Sequence, residues 1–194
     1  VKKYPEILPM DRSGRVREPG SRRHYTPNSP IFRQYAMRLV EEYVQHYADA
    51  ADMWQVDNEF GCHGTKFSFT ENDRKAFIEW LKKRYGTLEN LNAAWGTIFW
   101  SQTYDDWDEI VFPLNTPTFE NPHQMLDIHR FMSDSTIDFM NAQIEIIRKY
   151  SDKPITHNFM VDFMDLDYKK MARYIDIVSW DNYVATDDYD PLRQ

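Results

Sequence analysis

Residues 54–61 read Trp-Gln-Val-Asp-Asn-Glu-Phe-Gly, a short apolar run that ends on an asparagine and a glutamate before a glycine. This pattern predicts a β-strand at 53–57 that leads into a loop. Consecutive side chains at a strand end point to opposite faces unless the backbone bends, and a bend would let Asn58 and Glu59 address one ligand. An isolated Asn-Glu pair is more often a surface loop, so the surrounding sequence decides its meaning.

The rest of the chain alternates predicted helices and strands, which is the signature of a parallel sheet with crossover helices. We expect a helix at 29–50 whose apolar residues pack on the sheet, among them Tyr35, Leu39, Tyr43 and Tyr47. Further helices are expected at 70–85, 87–95, 121–150 and 168–174, further strands at 155–158 and 176–180, and a long rim loop at 97–120. In a parallel α/β barrel the carboxyl ends of the strands form the catalytic rim, where Asn58 and Glu59 would lie.

The length of the chain sets a limit on this architecture. A complete (β/α)8 (TIM) barrel typically needs about 250 residues, whereas this chain has 194. We therefore expect the fold class to be α/β, a partial TIM barrel that contains about strands three or four to six. Residues 1–194 would form one partial catalytic domain, in which residues 1–28 form an extended loop arm.

Charge and cysteine content exclude several classes of protein. The chain has 31 acidic and 23 basic residues and a net charge of −8, which argues against nucleic acid as a partner. Residues 1–38 are basic, and pairing with the acidic remainder is the plainer explanation of that arm. Cys62 is the single cysteine and no apolar run approaches the length of a membrane span, so we expect a cytoplasmic protein without a membrane partner.

Five short motifs occur in an order and spacing that resemble one known family. They are GSRRHY at 20–25, DNEFG at 57–61, FWS at 99–101, THN at 156–158 and SWDNY at 179–183. Together they resemble glycoside hydrolase family 42, the β-galactosidases, over nearly the whole chain. The resemblance implies a barrel enzyme that hydrolyses terminal β-D-galactosides with retention of configuration. It implies no cofactor, and a parent enzyme that is a homo-oligomer, often a trimer.

The same resemblance assigns the catalytic role. Glu59 matches the general acid/base of the family, and Asn58 matches the residue whose amide donates to the sugar 2-hydroxyl. The family nucleophile is a second glutamate near the end of the seventh strand, and the match stops before reaching it. We therefore expect this chain alone to have little or no activity.

Four more residues are candidate substrate contacts. Arg22 matches a substrate-site arginine, with Arg23 as the close alternative, because both cannot face inward from an extended segment. Trp100 matches a tryptophan that lines the sugar pocket, and Tyr183 matches a tyrosine that hydrogen-bonds the nucleophile. Asn158 stands at a strand end and is a further candidate.

The sequence departs from the family at a zinc site. Many members carry four cysteines, whereas Thr26 stands at the first of these positions and only Cys62 remains of the later three. A single thiolate near His63 cannot close a tetrahedral zinc site, so we expect no metal there.

Two other functions stay open at this point. One is a non-catalytic saccharide-binding barrel fragment, and the other is a retaining β-mannanase or β-glucosidase with the same barrel. The Arg-Arg-His-Tyr motif favours a galactosidase. A partial barrel also leaves strand edges unpaired, so we expect self-association or capping of an edge by the arm.

Overall fold

The structure, a computed structural model, describes residues 2–20, 24–112, 115–160 and 163–183. Helices lie between successive strands within this part of the chain. Their bounds are α1 (Pro30–Tyr47), β1 (Trp54–Gln55), α2 (Glu71–Tyr85), α3 (Leu88–Trp95), α4 (Pro122–Tyr150), β2 (Ile155–Met160), α5 (Tyr168–Met171) and β3 (Ile177–Asp181). No helix in the described ranges combines the length and apolarity needed to cross a membrane.

The three strands form one parallel sheet in the order β1, β2, β3. Trp54 pairs with Ile155, and Thr156 pairs with Ile177. The predicted α/β class with parallel strands is therefore confirmed. The first strand is shorter than predicted because the ladder ends where the Val56 N–H donates to the Thr156 carbonyl at 2.9 Å, just before the backbone turns.

Local capping explains where the main helices begin. The Ser29 hydroxyl accepts from the Phe32 N–H at the start of α1. Thr70 and Asp73 form a capping box at the start of α2, and the Asn121 side chain accepts two N–H groups at the start of α4. Each cap satisfies donors that the first turn of a helix leaves without a partner, so the predicted starts agree with the structure.

Among the described residues, two hydrophobic clusters form the core, and α4 contributes to both. One cluster lies between the sheet, α1, α4 and α5 and includes the fully buried Met140 and Ile155. The other joins α2, α3 and α4 around Phe77 and Leu91. The long α4 therefore fixes the helical excursion 70–95 relative to the sheet.

The expected packing of α1 on the sheet through its tyrosine stripe is wrong. Tyr35, Leu39, Tyr43 and Tyr47 are exposed, with 43, 59, 57 and 47% of their surface accessible. The helix instead turns Val44 into the core cluster, where the compact side chain of a valine lies closer to the sheet than a tyrosine ring could.

The arm does not cap a sheet edge within the described residues. It contains a short 3₁₀ turn at Pro5–Ile7 and an isolated bridge between Met10 and Val16. Its backbone is bound instead by the Thr26 N–H to the Ile7 carbonyl and by the Phe69 N–H to the Met10 carbonyl. The expectation of edge capping by this arm is therefore wrong for the part of the chain that is described, because the arm is bound to the segment just before α2.

Candidate active site

The backbone after β1 bends sharply at the Asn-Glu pair. Asp57 and Glu59 have φ angles of 56° and 43°, in the left-handed region that residues with a Cβ rarely adopt. Gly61 also has a positive φ, and a Cβ there would lie 3.0 Å from the Phe163 ring, so the close approach requires glycine. The bend expected from the sequence is present, and it brings the side chains of consecutive residues to one end of the sheet.

Glu59 is nearly buried, with 9% of its surface accessible. Its carboxylate oxygen Oε1 lies 3.4 Å from the hydroxyl of Tyr183, which is in position to donate to it. Its own N–H donates to the side-chain oxygen of Asn158 at 3.2 Å. Three of the residues singled out from the sequence therefore meet at this end of the sheet.

Asn58 belongs to the same group. Its N–H donates to Oδ1 of Asp57 at 2.8 Å, and its Oδ1 accepts from Nδ2 of Asn158 at 3.1 Å. Asn158 on β2 thus orients the side chain of Asn58, and Asn58 itself is exposed at the bend.

A buried histidine on β2, His157, contacts the backbone on both sides of the bend. Nδ1 of His157 lies 2.7 Å from the Val56 carbonyl, which can only accept, so this nitrogen carries the proton. Nε2 is then the acceptor for the Phe60 N–H at 3.5 Å. This arrangement fixes one neutral tautomer, and desolvation lowers the pKa of His157.

Asp57 is the second carboxyl group at the bend. The residue is exposed at the end of the strand, yet protein surrounds it closely enough that desolvation raises the pKa of its carboxyl group. A hydrogen bond from the Asn58 N–H and the nearby His157 and His24 act in the opposite direction. The bend therefore holds two carboxyl groups, on Asp57 and Glu59, in different environments.

A cavity of about 380 Å³ borders the bend. Its wall combines the arm, the bend and two helices, and includes His24, Tyr25, Phe32, Asn58, Glu59 and Phe139. Apolar walls with a few polar groups are typical of small-molecule sites. His24 and Tyr25 belong to the motif at 20–25, so this motif and the Asn-Glu pair line the same cavity.

One of the candidate residues that the structure describes, Trp100, is not brought to this cluster. Arg22 and its alternative Arg23 lie outside the described residues. Trp100 lies in a 3₁₀ turn at Phe99–Ser101, with 70% of its surface accessible, and its ring stacks on Phe99 at 4.9 Å. Within the described ranges, Trp100 is not among the residues that line the cavity beside the bend.

Sequence reasoning missed two residues that hold the site. Gln55 and Asp181 both hydrogen-bond the side chain of Asn158. Their signal was their position near the carboxyl ends of neighbouring strands, but it becomes visible only when the strand register is known. In the described ranges, no group of three or more His, Cys, Asp or Glu residues is arranged to hold a metal ion.

Comparison with known proteins identifies close relatives. The family model described as β-galactosidase, that of glycoside hydrolase family 42, matches residues 1–193. A β-galactosidase of Geobacillus kaustophilus is 47% identical over 186 residues, which is 94% of this chain and 28% of that protein. The β-galactosidase of Thermus thermophilus is 46% identical, over 94% of this chain and 29% of the relative.

Solved structures give the same result for the fold. The β-galactosidase from Marinomonas ef1 superposes with a TM-score of 0.91 at 42% identity, over 94% of this chain and 28% of that one. The enzyme from Halorubrum lacusprofundi gives 0.92 at 41% identity, over 97% and 29%. The chain therefore spans under a third of the length of these relatives.

Proposed function

Because the chain belongs to glycoside hydrolase family 42, the β-galactosidases, we propose that it supplies the acid/base half of a retaining β-galactosidase site. The substrate is a terminal β-D-galactoside. The sheet corresponds to about strands four to six of a (β/α)8 barrel, and the catalytic nucleophile comes from chain outside these 194 residues.

The observation that carries this proposal is the bend after β1. It holds the nearly buried Glu59 beside Asn58 at the carboxyl end of a parallel strand, where catalytic groups of barrel enzymes lie. A surface loop, the plain alternative from sequence, does not describe this glutamate, since only 9% of its surface is accessible.

In the reaction, Glu59 protonates the glycosidic oxygen as the bond to the leaving group breaks. The same group, now a carboxylate, then takes a proton from the water that releases galactose. Asn58 donates to the sugar 2-hydroxyl, a contact that strengthens as positive charge develops at the anomeric carbon. The nucleophilic carboxylate would lie about 5 to 5.5 Å from Glu59, as retention requires.

Three further roles are part of the proposal. Arg22 binds sugar hydroxyls through its guanidinium fork, and Trp100 stacks on the apolar face of galactose. Tyr183 hydrogen-bonds a catalytic carboxyl group. Its contact with Glu59 supports this role, although the family resemblance pairs this tyrosine with the nucleophile.

The exposed edges of the sheet support self-association of the chain on its own. Val178 and Trp180 on β3 are 53% and 60% exposed, and such an edge is a template for pairing. Sedimentation should show oligomers for this chain and fewer for Val178→Lys. A homo-oligomeric parent and a cytoplasmic location complete the proposal; the single buried cysteine, Cys62, suits a reducing compartment.

The test compares the chain with a completed enzyme. We define the completed enzyme as Thermus thermophilus β-galactosidase in which the stretch that aligns with this chain is replaced by the aligned residues of this chain. The 194-residue chain alone should release no galactose from lactose, whereas the completed enzyme should hydrolyse β-galactosides in preference to β-glucosides and β-mannosides. A folded completed enzyme that binds galactose without hydrolysing any of these substrates would contradict the proposal.

A further inference from the structure

The side chain of Asn158 is saturated with hydrogen bonds. A carboxamide offers two N–H donors and two acceptor positions. Nδ2 donates to Oδ1 of Asn58 at 3.1 Å and to Oδ2 of Asp181 at 2.8 Å. Oδ1 accepts from the Glu59 N–H at 3.2 Å and from Nε2 of Gln55 at 3.2 Å. All four positions are occupied, and the residue is 7% exposed.

The chemistry of the partners fixes the orientation of this amide. A backbone N–H can only donate, so the atom that faces Glu59 N must be the oxygen of Asn158. A carboxylate oxygen accepts, so the atom that faces Asp181 must be the nitrogen. Both requirements agree, and a flipped amide would violate both.

The bend next to this amide needs support. Asp57 and Glu59 adopt left-handed backbone conformations without being glycine, and such conformations persist only where the surroundings hold them. Asn158 binds both residues of the Asn58–Glu59 pair, one through its oxygen and one through its nitrogen. It is therefore the side chain that couples the acid/base residue to the second strand.

We propose that Asn158 is a positioning residue, oriented by Asp181, that holds Asn58 and Glu59 in their working geometry and does not touch the sugar. This differs from the substrate contact expected from the sequence, because no donor or acceptor of the amide is left for a ligand. The catalytic consequence rests on the proposed function, whereas the structural claim does not.

The structural claim can be tested in the 194-residue chain by amide hydrogen exchange. In Asn158→Asp, a carboxylate faces the carboxylate of Asp181 at the 2.8 Å contact, which should loosen the bend and speed exchange of the Glu59 amide. In the double variant Asn158→Asp/Asp181→Asn, donor and acceptor are exchanged and the bond between positions 158 and 181 is restored, whereas the bond to Asn58 is not, so exchange should return part of the way to the native rate. Failure of the double variant to slow exchange relative to Asn158→Asp would overturn the proposal.

The catalytic consequence is measured in the completed enzyme. Asn158→Asp should lower kcat on lactose by about a hundredfold, the loss typical of a misplaced catalytic group, with KM changed less than about threefold. The double variant should recover at least about tenfold of that loss. Asn90→Asp, the same change at an exposed position of α3, controls for the added charge.

The outcomes separate the two claims. A rise in KM that the double variant does not reverse would show that Asn158 contacts the sugar, and this would overturn the positioning role. If Asn158→Asp does not fold, the kcat of Asp181→Asn is compared with that of the double variant. Both variants keep a hydrogen bond between positions 158 and 181, so a positioning role predicts kcat values within about threefold of each other. A completed enzyme without galactosidase activity would contradict the proposed function alone, since the exchange measurement would still stand.

Discussion

The Tyr183 hydroxyl lies 3.4 Å from the Oε1 oxygen of Glu59, although the two residues are 124 positions apart in the chain. The contact joins the end of the third strand to the bend after the first. It places a hydrogen-bond donor on the carboxyl group that we propose as the acid/base.

Removal of this hydroxyl should impair catalysis without unfolding the chain. In the completed enzyme we expect Tyr183→Phe to lower kcat on lactose by about tenfold, which corresponds to about 1.4 kcal/mol. Tyr43→Phe, at an exposed position of α1, is the matched control. A wild-type kcat for Tyr183→Phe would show that the contact has no catalytic role.

Trp100 should matter for substrate and little for stability. Its ring is 70% exposed, and it and Ser101 both have a φ of 55°, a strained geometry that is common at functional sites. Trp100→Ala should change the free energy of unfolding of the chain by less than about 0.5 kcal/mol. In the completed enzyme it should raise KM for galactosides, whereas Phe119→Ala, at 92% exposure in the same loop, should not.

Asp73 should be a strong determinant of stability. It is fully buried and accepts from Asn28 Nδ2 at 2.9 Å, from the Ser68 hydroxyl at 2.6 Å and from the Thr70 N–H at 2.9 Å. Asp73→Ala leaves these donors without an acceptor, so we expect it to destabilise the chain by about 3 kcal/mol or more in urea unfolding.

The exposed carboxylate of Glu79 on the same helix provides the comparison for that change. Its only described ion pair is with Lys82, at 2.8 Å on the surface. Glu79→Ala should cost less than about 1 kcal/mol. Equal losses for the two variants would argue that Asp73 does not hold the arm to α2.

Stability should depend on pH through His157. Burial lowers the pKa of this histidine below its value in the unfolded chain, so the unfolded state binds more protons as pH falls below about 6.5. The contribution is fully present above that pH and is lost progressively below it. We expect urea unfolding to show a smaller stability difference between pH 7.5 and 5 in His157→Gln than in the native chain.

Other ionisable groups also contribute to the pH dependence of stability. The quantity compared is therefore the loss of stability between pH 7.5 and 5 in each variant. His46→Gln removes a histidine from an exposed position of α1 and serves as the control. If His157→Gln and the native chain lose the same stability between these pH values, the neutral buried imidazole has no part in the acid sensitivity.

Sequence alone predicted the features that depend on neighbouring residues. Ser29, Thr70 and Asn121 cap helices within three positions of themselves, so their effect can be read locally. The bend at Asn58 and Glu59 was likewise signalled by the end of an apolar run.

Features that depend on distant partners could not be predicted in this way. Gln55 hydrogen-bonds Asn158, which is 103 positions away in the chain. The strand register that brings them together cannot be predicted from either segment alone. The buried face of α1 was misassigned because apolar residues occupy two faces of this helix. In the folded chain Val44 is buried in the core and Tyr43 is exposed. Packing of this kind is decided by the fit of whole side chains between elements.

The most direct test of the central claim is the leaving-group dependence of Glu59→Gln in the completed enzyme. Loss of a general acid typically costs about 10²- to 10⁴-fold on a substrate whose leaving group needs a proton, such as lactose. A dinitrophenyl galactoside needs no proton, so its glycosylation step, measured as a pre-steady-state burst, should stay within about tenfold of the native rate. Equal loss on both substrates would contradict the role of Glu59 as the acid/base.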